Sequence, residues 1–480
     1  MLLKEVTAGL RSAARTGLLD DPDIADVTHD SRRVRPGALF CCVPGSTTDG
    51  HDFAAGAVAA GATALLCQRE LPLDVAQVLV DDPRAAMAIA AATFHGFPAQ
   101  AMRMVGITGT NGKTTTVAMV QAMLDTNAIR TAIIGTLTAH APGIPPTTPD
   151  SPDLQAMLAA FRDDGFAAVA MEVSSHALTM ARVDAITYDV AAFTNLSRDH
   201  LDLHGTMEDY FAAKARLFTA DKARTAVICV DDEWGGRLAG LAADAGLDVA
   251  RCSVRDLVTD GVEGPQATVR WHGAQGTLHL AGRHNWANAV VAATIGEVLG
   301  LNPQQVLDGL GALQSVDGRF EYVDAGQPFS VVVDYAHTPD GVEVALRAAR
   351  GAIGVDGQVT IVFGAGGERD RTKRPLMAAI AEQLADRVIL TSDNPRHEDP
   401  RAILEEMRTG LRDPSGVTID PDRTAAIRLG VESASPGDLV LIAGKGHETT
   451  QTIGDEVFPF DDRDVARGVL ASMGYGGPAT

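Results

Sequence analysis

Residues 106–116 have the types and spacing that point most directly to chemistry. They read GITGTNGKTTT, follow an apolar run at 102–107 and precede a helical pattern at 117–124. A strand, a glycine-rich turn and a helix N-terminus in this order form a concavity of backbone N–H groups that binds phosphate. The ammonium group of Lys113 adds to the attraction. The sequence therefore predicts a nucleotide phosphate loop.

This phosphate loop departs from the strict Walker A spacing at one position. Ile107 stands where that motif has its first glycine, and Gly109 and Gly112 supply the bends instead. The departure indicates a distinct class of nucleotide enzyme. A hydroxyl from Thr114 or Thr115 is available as a ligand for magnesium.

Two groups of polar residues follow the next apolar strands. Glu172 opens the sequence EVSSH, where a carboxylate near a phosphate loop can hold magnesium directly or through water. His176 in the same group is equally compatible with a structural role. Residues 195–205 contain histidines and aspartates, but their spacing does not fit a closed zinc site. A contact from His200 to a second magnesium ion is the better interpretation.

Three later residues suit a nucleoside. Asn285 precedes an alanine-rich helix and is available to read an adenine edge. Asp334, at the end of a predicted strand, can accept from a ribose hydroxyl, and His337 follows it where phosphates would lie. Taken alone, each residue is also compatible with an ordinary polar position in a loop that binds no ligand.

The last third of the chain places arginines and acids on loops of one predicted sheet. The motifs are GAGGERDRTKR at 364–374, DNPR at 393–396 and GKGHE at 444–448. An arginine guanidinium pairs bidentately with a carboxylate, while Asp393 and Glu448 can accept from an ammonium group. The combination suits a zwitterionic amino acid with an additional carboxylate. A surface salt-bridge network would have the same composition.

The elements that position these residues divide the chain into segments 1–98, 99–322 and 323–480. In the second and third segments apolar strands alternate with helices, which indicates parallel sheets. We expect an α/β protein whose central, doubly wound, mainly parallel sheet carries the phosphate loop. An N-terminal α/β domain and a C-terminal Rossmann-like α/β domain would flank it. Ligands of such sheets bind beyond the carboxyl ends of the strands, where these motifs fall.

The predicted elements are as follows. Strands are predicted at 38–43, 64–67, 78–80, 102–107, 131–134, 167–171, 190–193, 225–230, 248–252, 330–333, 359–363, 387–390 and 439–442. Helices are predicted at 54–60, 85–94, 117–124 and 207–218, and a hairpin at 267–280 that turns at 273–276. Lys214 lies in the last of these helices, and nothing in the residues alone singles it out.

Composition restricts the class of protein. The chain has 480 residues, a net charge of −22 and 46% hydrophobic residues. The acidity argues against nucleic-acid or anionic-membrane partners, because no basic stripe is present. Five cysteines without C-x-x-C spacing indicate free thiols in a reducing compartment. With no leader pattern and no apolar run of about 18 residues, we expect a cytoplasmic monomer without membrane insertion.

Taken in order, the motifs resemble the Mur ligases over nearly the whole chain. The matching stretches are DSR at 30–32, PGALF at 36–40, TGTNGKTT at 108–115, TTP at 147–149, EVSSH at 172–176, the helix of Lys214, and DNPR at 393–396. The resemblance implies a ligase of peptidoglycan precursor synthesis that uses ATP and Mg²⁺. Its substrates would be UDP-N-acetylmuramoyl-L-alanyl-D-glutamate and an amino acid, joined through an acyl phosphate.

The resemblance also implies a role for individual residues. The catalytic set would be Lys113, Glu172, His200 and Lys214. By position, it implies a UDP contact from Ser31; muramoyl-peptide contacts from Thr147, Thr148, Ser174 and Arg182; ATP contacts from Gly109, Thr110, Asn111, Gly112, Lys113, Thr114 and Thr115; magnesium contacts from Thr114, Glu172, His200 and a carbamylated Lys214; and amino-acid contacts from Arg369, Asp393, Asn394, Arg396, Gly444 and Glu448. The residues themselves add Asn285, Asp334 and His337 to the expected ATP contacts and Pro395 to the amino-acid site.

The DNPR motif distinguishes among the possible amino acids. Lysine-adding relatives lack its arginine, because lysine has no second carboxylate, so the resemblance implies meso-diaminopimelate as the acceptor. The alternatives are a ligase that adds lysine, a folylpolyglutamate synthetase, or a catalytically silent homologue that binds a nucleotide sugar.

Overall fold

The computed structural model describes residues 1–10, 13–17, 21–45, 48–138, 147–260 and 265–476. Within these ranges the chain forms three sheets of five or six strands, each packed against helices, and two small antiparallel sheets. None of the described helices is long and apolar enough to cross a membrane. All five cysteines are buried and free, as predicted.

The first sheet belongs to the N-terminal segment. Its order is β1-β5-β4-β3-β2, with β1 antiparallel to β5 and the other neighbours parallel. The strands are β1 (Ala14–Gly17), β2 (Asp26–Thr28), β3 (Ala38–Cys41), β4 (Ala62–Cys67) and β5 (Ala76–Leu79), and the helices are α1 (Leu3–Val6), α2 (Ala54–Ala59) and α3 (Pro83–Phe94). The Asp82 side chain accepts from the first turn of α3 and so fixes its start.

The second sheet is entirely parallel, as the alternation of strands and helices predicts. Its order is β11-β10-β9-β6-β8-β7. The strands are β6 (Arg103–Thr108), β7 (Thr131–Ile134), β8 (Ala168–Glu172), β9 (Tyr188–Phe193), β10 (Ala223–Cys229) and β11 (Asp248–Cys252). The helices are α4 (Lys113–Thr126), α5 (Ser151–Asp163), α6 (Ser175–Thr179), α7 (Leu201–His204), α8 (Met207–Ala215), α9 (Glu233–Asp244), α10 (Arg283–Val298) and α11 (Pro303–Ala312).

Strand β6 shows why this sheet is covered on both faces. Val105 and Ile107 belong to one buried cluster and Met104 to the other, because successive side chains point to opposite faces. A Cβ at Gly106 would lie 2.7 Å from the ring of Tyr188, so a larger residue would push β9 away. The sheet is therefore doubly wound. Strand β6 ends at Thr108, which lies at the carboxyl edge of the sheet.

A small antiparallel sheet joins β11 to α10. It contains β12 (Val258–Thr259), β13 (Ala267–Trp271) and β14 (Ala274–Leu278). The predicted turn at 273–276 is displaced: His272 and Gly273 connect the strands, and Gly276 lies inside β14 opposite Val269. Packing of Gly276 against Leu307 accounts for the glycine in the strand.

The third sheet has the order β15-β16-β20-β17-β18-β19 and is parallel except for β15. The strands are β15 (Glu321–Tyr322), β16 (Ser330–Asp334), β17 (Val359–Phe363), β18 (Arg387–Leu390), β19 (Thr418–Ile419) and β20 (Leu439–Ala443), followed by a hairpin of β21 (Thr450–Ile453) and β22 (Glu456–Pro459). The helices are α12 (Pro339–Gly351), α13 (Lys373–Leu384), α14 (Pro400–Arg408), α15 (Arg423–Glu432) and α16 (Asp462–Ser472). The third sheet thus begins at β15, just before the boundary at 322/323 expected from the sequence.

Candidate active site

The phosphate loop joins β6 to α4, and two glycines set its path. Gly109 has φ 149° and Gly112 has φ 84°. A Cβ would lie 1.9 Å from Thr194 Oγ1 at the first position and 2.1 Å from Asn288 Oδ1 at the second. Only glycine fits at either place, and this close packing holds the loop against β9 and α10.

The backbone N–H groups of the loop divide into two sets. Those of Thr110 and Asn111 donate to Asn195, to its backbone O at 2.9 Å and its Oδ1 at 3.0 Å. Within the described part of the chain, the N–H groups of Lys113 and Thr114, in the first turn of α4, have no acceptor. Free N–H groups and the helix dipole make this turn an anion site. The amides available to bind an anion are therefore those of the helix start.

Lys113 folds back over the same loop. Its Nζ donates to the backbone O of Gly109 at 3.0 Å and of Thr110 at 2.8 Å. Loss of hydration lowers its pKa, while the carboxylates of Glu172 and Asp199 partly offset this effect. A cation is thus held above the N-terminus of α4.

Lys214, on α8, reaches the loop from the opposite side. Its Nζ donates to the backbone O of Gly109 at 2.7 Å and lies 4.5 Å from the centre of the Tyr210 ring. The residue is only 1% exposed. Burial, reinforced by the charge of Lys113, sets its pKa well below the usual lysine value. The site therefore disfavours the charged form of this amine.

Glu172 and Thr114 place two kinds of oxygen side by side. Oε1 of Glu172 accepts from Thr114 Oγ1 at 2.9 Å and from the backbone N–H of Thr136 at 2.7 Å. Glu172 is 1% exposed. In addition, Arg319 Nη2 donates to Thr114 Oγ1 at 3.1 Å, so a cationic group already approaches this oxygen pair.

These oxygens fit magnesium, which prefers carboxylate, hydroxyl, phosphate and water ligands. Among the described residues, no group of three or more His, Cys, Asp or Glu side chains could hold a metal ion. The protein therefore offers few ligands of its own. Magnesium at such a site typically takes its remaining ligands from nucleotide phosphates and water.

His200, the histidine predicted to contact magnesium, lies near Asp199 and Tyr210. It has a left-handed backbone, φ 52°, and an exposed side chain whose Nε2 is 3.4 Å from Asp199 Oδ2. Its ring centre is 6.1 Å from that of Tyr210, the ring that Lys214 also contacts. His200, predicted to contact magnesium, and Lys214, predicted to be carbamylated, thus both lie near Tyr210.

A cavity of about 100 Å³ lies between the second and third sheets. Asn285, Asp334 and His337, all predicted to contact the nucleotide, line it together with the phosphate-loop residues Asn111, Gly112 and Thr115. The sequence therefore identified residues from distant parts of the chain that meet in one cavity.

The polar groups in this cavity are already oriented by the backbone. The carboxylate of Asp334 accepts from the N–H groups of Phe320 and Ala336 at 2.7 and 2.8 Å. Burial raises the pKa of Asp334 and lowers that of His337 to about 4, so the imidazole is neutral at pH 7. The Asn285 amide donates to Ala281 O at 2.8 Å. It is thus engaged with the segment just before α10, so reading an adenine edge would use its remaining capacity.

The residues predicted to contact the muramoyl-peptide lie next to Glu172. Thr148 Oγ1 donates to the backbone O of Glu172 at 2.8 Å and accepts from the N–H of Ser174 at 3.2 Å. Arg182 Nη1 donates to the backbone O of Thr148 at 2.9 Å. Thr147 Oγ1 lies 3.4 Å from Thr136 Oγ1, beside the same carboxylate.

Ser31 belongs to a different place, a 3₁₀ turn (Ser31–Arg33) of the first domain. The Asp30 carboxylate accepts from Arg32 N and holds the turn. Arg33 pairs bidentately with Asp153 of α5, at 3.0 and 2.8 Å, and ties the turn to the central domain. The predicted UDP contact therefore lies in a turn of the N-terminal segment that is attached to α5.

The loops after β17, β18 and β20 are called here the acceptor loops, and they form one hydrogen-bonded cluster. Asn394 Nδ2 donates to Glu448 Oε2 at 2.7 Å, and Lys445 Nζ donates to the same oxygen at 3.0 Å. Gly444 has φ 112°, and a Cβ there would lie 2.6 Å from Asp393 Oδ2. The predicted residues of the DNPR and GKGHE motifs are thus in contact.

The arginines of the acceptor loops are placed differently from each other. Arg396 Nη1 donates to the backbone O of Gly367 at 2.5 Å, and its backbone is left-handed, φ 53°. Pro395 O packs so closely on Gly367 that a Cβ there would lie 1.8 Å away. Arg369 is exposed on the same loop. Both arginine side chains lie beside Gly366, where a Cβ would be 3.2 Å from Arg396 Nη1 and 3.7 Å from Arg369 Cγ.

A fully buried ion pair fixes the bases of two acceptor loops. Arg423 donates to both carboxylate oxygens of Asp462, at 2.7 and 2.6 Å, and both side chains have no exposure. The same guanidinium donates to the backbone O of Ser392 and of Ala443, the residues before DNPR and GKGHE. Its position thus aligns the two motifs.

Sequence reasoning missed several residues of this site. Arg319 stands in a loop with no recognisable spacing, and its contact with Thr114 joins positions 205 residues apart. Lys445 lies inside the GKGHE motif that drew attention, yet its buried contact with Glu448 was not foreseen. Asn288, three residues after Asn285, packs against the phosphate loop and could have been found from its helical spacing.

Comparisons with known proteins agree with this arrangement. Three family profiles match the chain: "Mur ligase family, catalytic domain" at residues 23–100, "Mur ligase middle domain" at 107–296 and "Mur ligase, glutamate ligase domain" at 318–446. A protein of Streptomyces coelicolor, named UDP-N-acetylmuramoyl-L-alanyl-D-glutamate–2,6-diaminopimelate ligase, is 45% identical over 97% of this chain and 95% of its own.

Solved structures show the same fold. A structure of a UDP-N-acetylmuramoyl-L-alanyl-D-glutamate–2,6-diaminopimelate ligase is similar with a TM-score of 0.66 and 33% identity, covering 94% of this chain and 96% of its own. A MurF ligase from Thermotoga maritima in complex with ADP is similar with a TM-score of 0.62 and 19% identity, covering 93% and 96%.

Proposed function

Since the chain belongs to the Mur ligase family, we propose that it is the ATP-dependent ligase that adds meso-diaminopimelate to UDP-N-acetylmuramoyl-L-alanyl-D-glutamate. The product would be an amide at the D-glutamyl γ-carboxylate, a step of peptidoglycan precursor synthesis. The observation that carries the proposal is that the phosphate loop shares one cavity with Asn285, Asp334 and His337. The acceptor loops adjoin this cavity, because the N–H of Gly444 donates to the backbone O of Asp334 at 3.1 Å.

The first step is transfer of the γ-phosphoryl group of ATP to the γ-carboxylate. The carboxylate oxygen attacks phosphorus, the bond to the β-phosphate oxygen breaks, and an acyl phosphate and ADP result. Lys113 and the free N–H groups at the start of α4 neutralise and orient the phosphates. Magnesium, held by Thr114 and Glu172, would supply further charge neutralisation.

The second step is attack of the amine of diaminopimelate on the acyl carbon, which releases phosphate. Arg369 and Arg396 would pair with carboxylates of the amino acid, while Asp393 and Glu448 accept from its ammonium group. The attacking amine must lose a proton, and Glu448 or a phosphate oxygen would accept it. Water must be excluded meanwhile, because an acyl phosphate hydrolyses easily.

Two further assignments belong to this proposal. Lys214 is carbamylated: burial lowers its pKa and so favours loss of the ammonium proton, after which the amine adds CO₂. The resulting carboxylate would serve with His200 at a second magnesium ion. Thr147, Thr148, Ser174 and Arg182 bind the muramoyl-peptide and Ser31 the UDP group. We also propose domains at 1–98, 99–322 and 323–480, a monomeric state and a cytoplasmic location.

The deciding experiment measures phosphate release with ATP, magnesium and the UDP-muramoyl-dipeptide. Meso-diaminopimelate and L-lysine are offered separately and in competition. Turnover confined to diaminopimelate is the expected result. Turnover with lysine would keep the reaction but overturn the acceptor assignment, and no turnover with either would indicate a silent nucleotide-sugar-binding protein.

A further inference from the structure

One carboxylate of the third domain holds two loops of the central domain. Asp340 lies in the first turn of α12. Its Oδ2 accepts from Asn111 Nδ2 at 2.7 Å and from Ser197 Oγ at 2.8 Å. The two donors also contact each other, with Asn111 Nδ2 and Ser197 Oγ 3.3 Å apart. Two short bonds to one charged oxygen are stronger than neutral hydrogen bonds.

The two donors are themselves firmly attached to the phosphate-loop edge of the central sheet. Asn111 is part of the phosphate loop, and its backbone O accepts from Thr194 Oγ1 at 2.6 Å. Ser197 follows β9, and its N–H donates to Thr110 Oγ1 at 3.0 Å. A displacement of Asp340 would therefore displace Asn111 and Ser197 and, through their bonds, the phosphate loop.

A second contact crosses the same interface, but it cannot persist during the reaction. Arg319 donates to Thr114 Oγ1, an oxygen that the proposed function gives to magnesium. Neither Asn111 nor Ser197 is assigned to magnesium. The nucleotide contact expected from Asn111 can use its side-chain Oδ1, because the bond to Asp340 uses Nδ2. The Asp340 contact can therefore remain when nucleotide and metal are bound, whereas the Arg319 contact must give way.

We propose that Asp340 is a positioning residue that latches the third domain over the phosphate loop and shields the acyl phosphate from water. The inference rests on the proposed function, because only an enzyme with a hydrolysable intermediate needs this protection. Asp340 touches no reacting atom. It acts through Asn111 and Ser197, by keeping the acceptor loops over the phosphate loop until the amine attacks.

The first test is the coupling ratio, the amount of ADP formed per amide formed. In the wild-type enzyme each ADP accompanies one amide. Asp340→Ala should raise the ratio severalfold, because loss of two charge-assisted bonds shifts the domains toward the open state by about tenfold or more. Asp340→Asn keeps an acceptor oxygen and should restore much of the coupling. Glu343→Ala, which removes a carboxylate one turn further along the same helix, should leave the ratio unchanged.

The second test does not depend on activity. Small-angle X-ray scattering of the ligand-free protein should give a larger radius of gyration for Asp340→Ala than for the wild type. Ser197→Ala should increase the radius of gyration less than Asp340→Ala does. The effect of the Asp340→Ala/Ser197→Ala double variant should be smaller than the sum of the two single effects, since both changes remove the bond between Ser197 and Asp340. A folded Asp340→Ala protein with wild-type coupling and wild-type scattering would overturn the latch. If the wild type makes no amide, the proposed function fails, while the scattering still reports on the latch.

Discussion

Lys113 and Lys214 donate to the same carbonyl oxygen, that of Gly109, at 3.0 and 2.7 Å. Their nitrogen atoms therefore lie within a few ångströms of each other in a site with little water. Two ammonium groups so placed repel, so the charged form of the lysine with less compensation is disfavoured. The charge of Lys113 contributes to the low pKa of Lys214, whereas the carboxylate of Glu172 raises the pKa of Lys113 and so favours its charged form.

The low pKa of Lys214 predicts that activity depends on carbon dioxide. A neutral amine adds CO₂ to form a carbamate and releases one proton, and the remaining N–H can still donate to Gly109. Activity should fall in CO₂-depleted buffer and recover with bicarbonate. A carbamate signal should appear by ¹³C NMR with labelled bicarbonate. It should be lost in Lys214→Ala and kept in Lys222→Ala. Activity indifferent to bicarbonate would contradict carbamylation.

Lys113→Ala should abolish acyl phosphate formation. The substitution removes the cation above the first turn of α4, and loss of one such electrostatic contact costs a factor of about 10² to 10³ or more in rate. Single-turnover formation of ADP without diaminopimelate measures this step alone. Lys4→Ala, an exposed lysine of the first domain, is the control. Near-normal ADP formation in the Lys113 variant would refute the phosphate-loop assignment.

Gly444→Ala should damage the amino-acid site and spare ATP binding. A methyl group there would lie 2.6 Å from Asp393 Oδ2 and would displace that carboxylate. Gly437→Ala is a matched control, because its φ of 90° brings similar strain into open space. The Michaelis constant for diaminopimelate should rise strongly only in the Gly444 variant. Similar Michaelis constants for diaminopimelate in both variants would show that binding of the amino acid does not depend on the position of the Asp393 carboxylate.

Most inner strands of the parallel sheets were predictable because they are buried on both faces and read as continuous apolar runs, whereas the short edge strands β2 and β19 were not predicted. The bounds of β7, β11, β17 and β18 agree with those expected. The exposed strands β21 and β22 carry no such run and were not predicted. Motifs at strand ends could be grouped because parallel strands end at one edge. Contacts between domains, such as Asp340 with Asn111, join residues that local patterns do not relate.

Arg396→Ala should raise the Michaelis constant for diaminopimelate by about ten- to a hundredfold, the value of one charge-assisted pair. The constant for ATP should change little, because Arg396 contacts Gly367 and no residue of the phosphate loop. Arg401→Ala, an exposed arginine at the start of α14, controls for the lost charge. Equal effects on both substrates would contradict a specific role for Arg396.

His337 predicts how stability depends on pH. Its Nδ1 lies 2.8 Å from the carbonyl oxygen of Tyr335 and must carry the hydrogen, while burial lowers its pKa to about 4. The unfolded chain binds a proton near pH 6.5 and the folded chain only near pH 4. Stability from this residue is therefore complete above pH 6.5 and is lost as the pH falls toward 4.

The slope of unfolding free energy against pH measures this effect. Between the two pKa values, His337→Gln should reduce the slope by up to about 1.4 kcal/mol per pH unit. Burial also lowers the pKa of His284 to about 4, so part of the slope should remain. His279→Gln, in the central domain, is the control. Urea unfolding at a series of pH values gives the slopes. If His337→Gln and His279→Gln behave alike, protonation of His337 is not what destabilises the folded protein in mild acid.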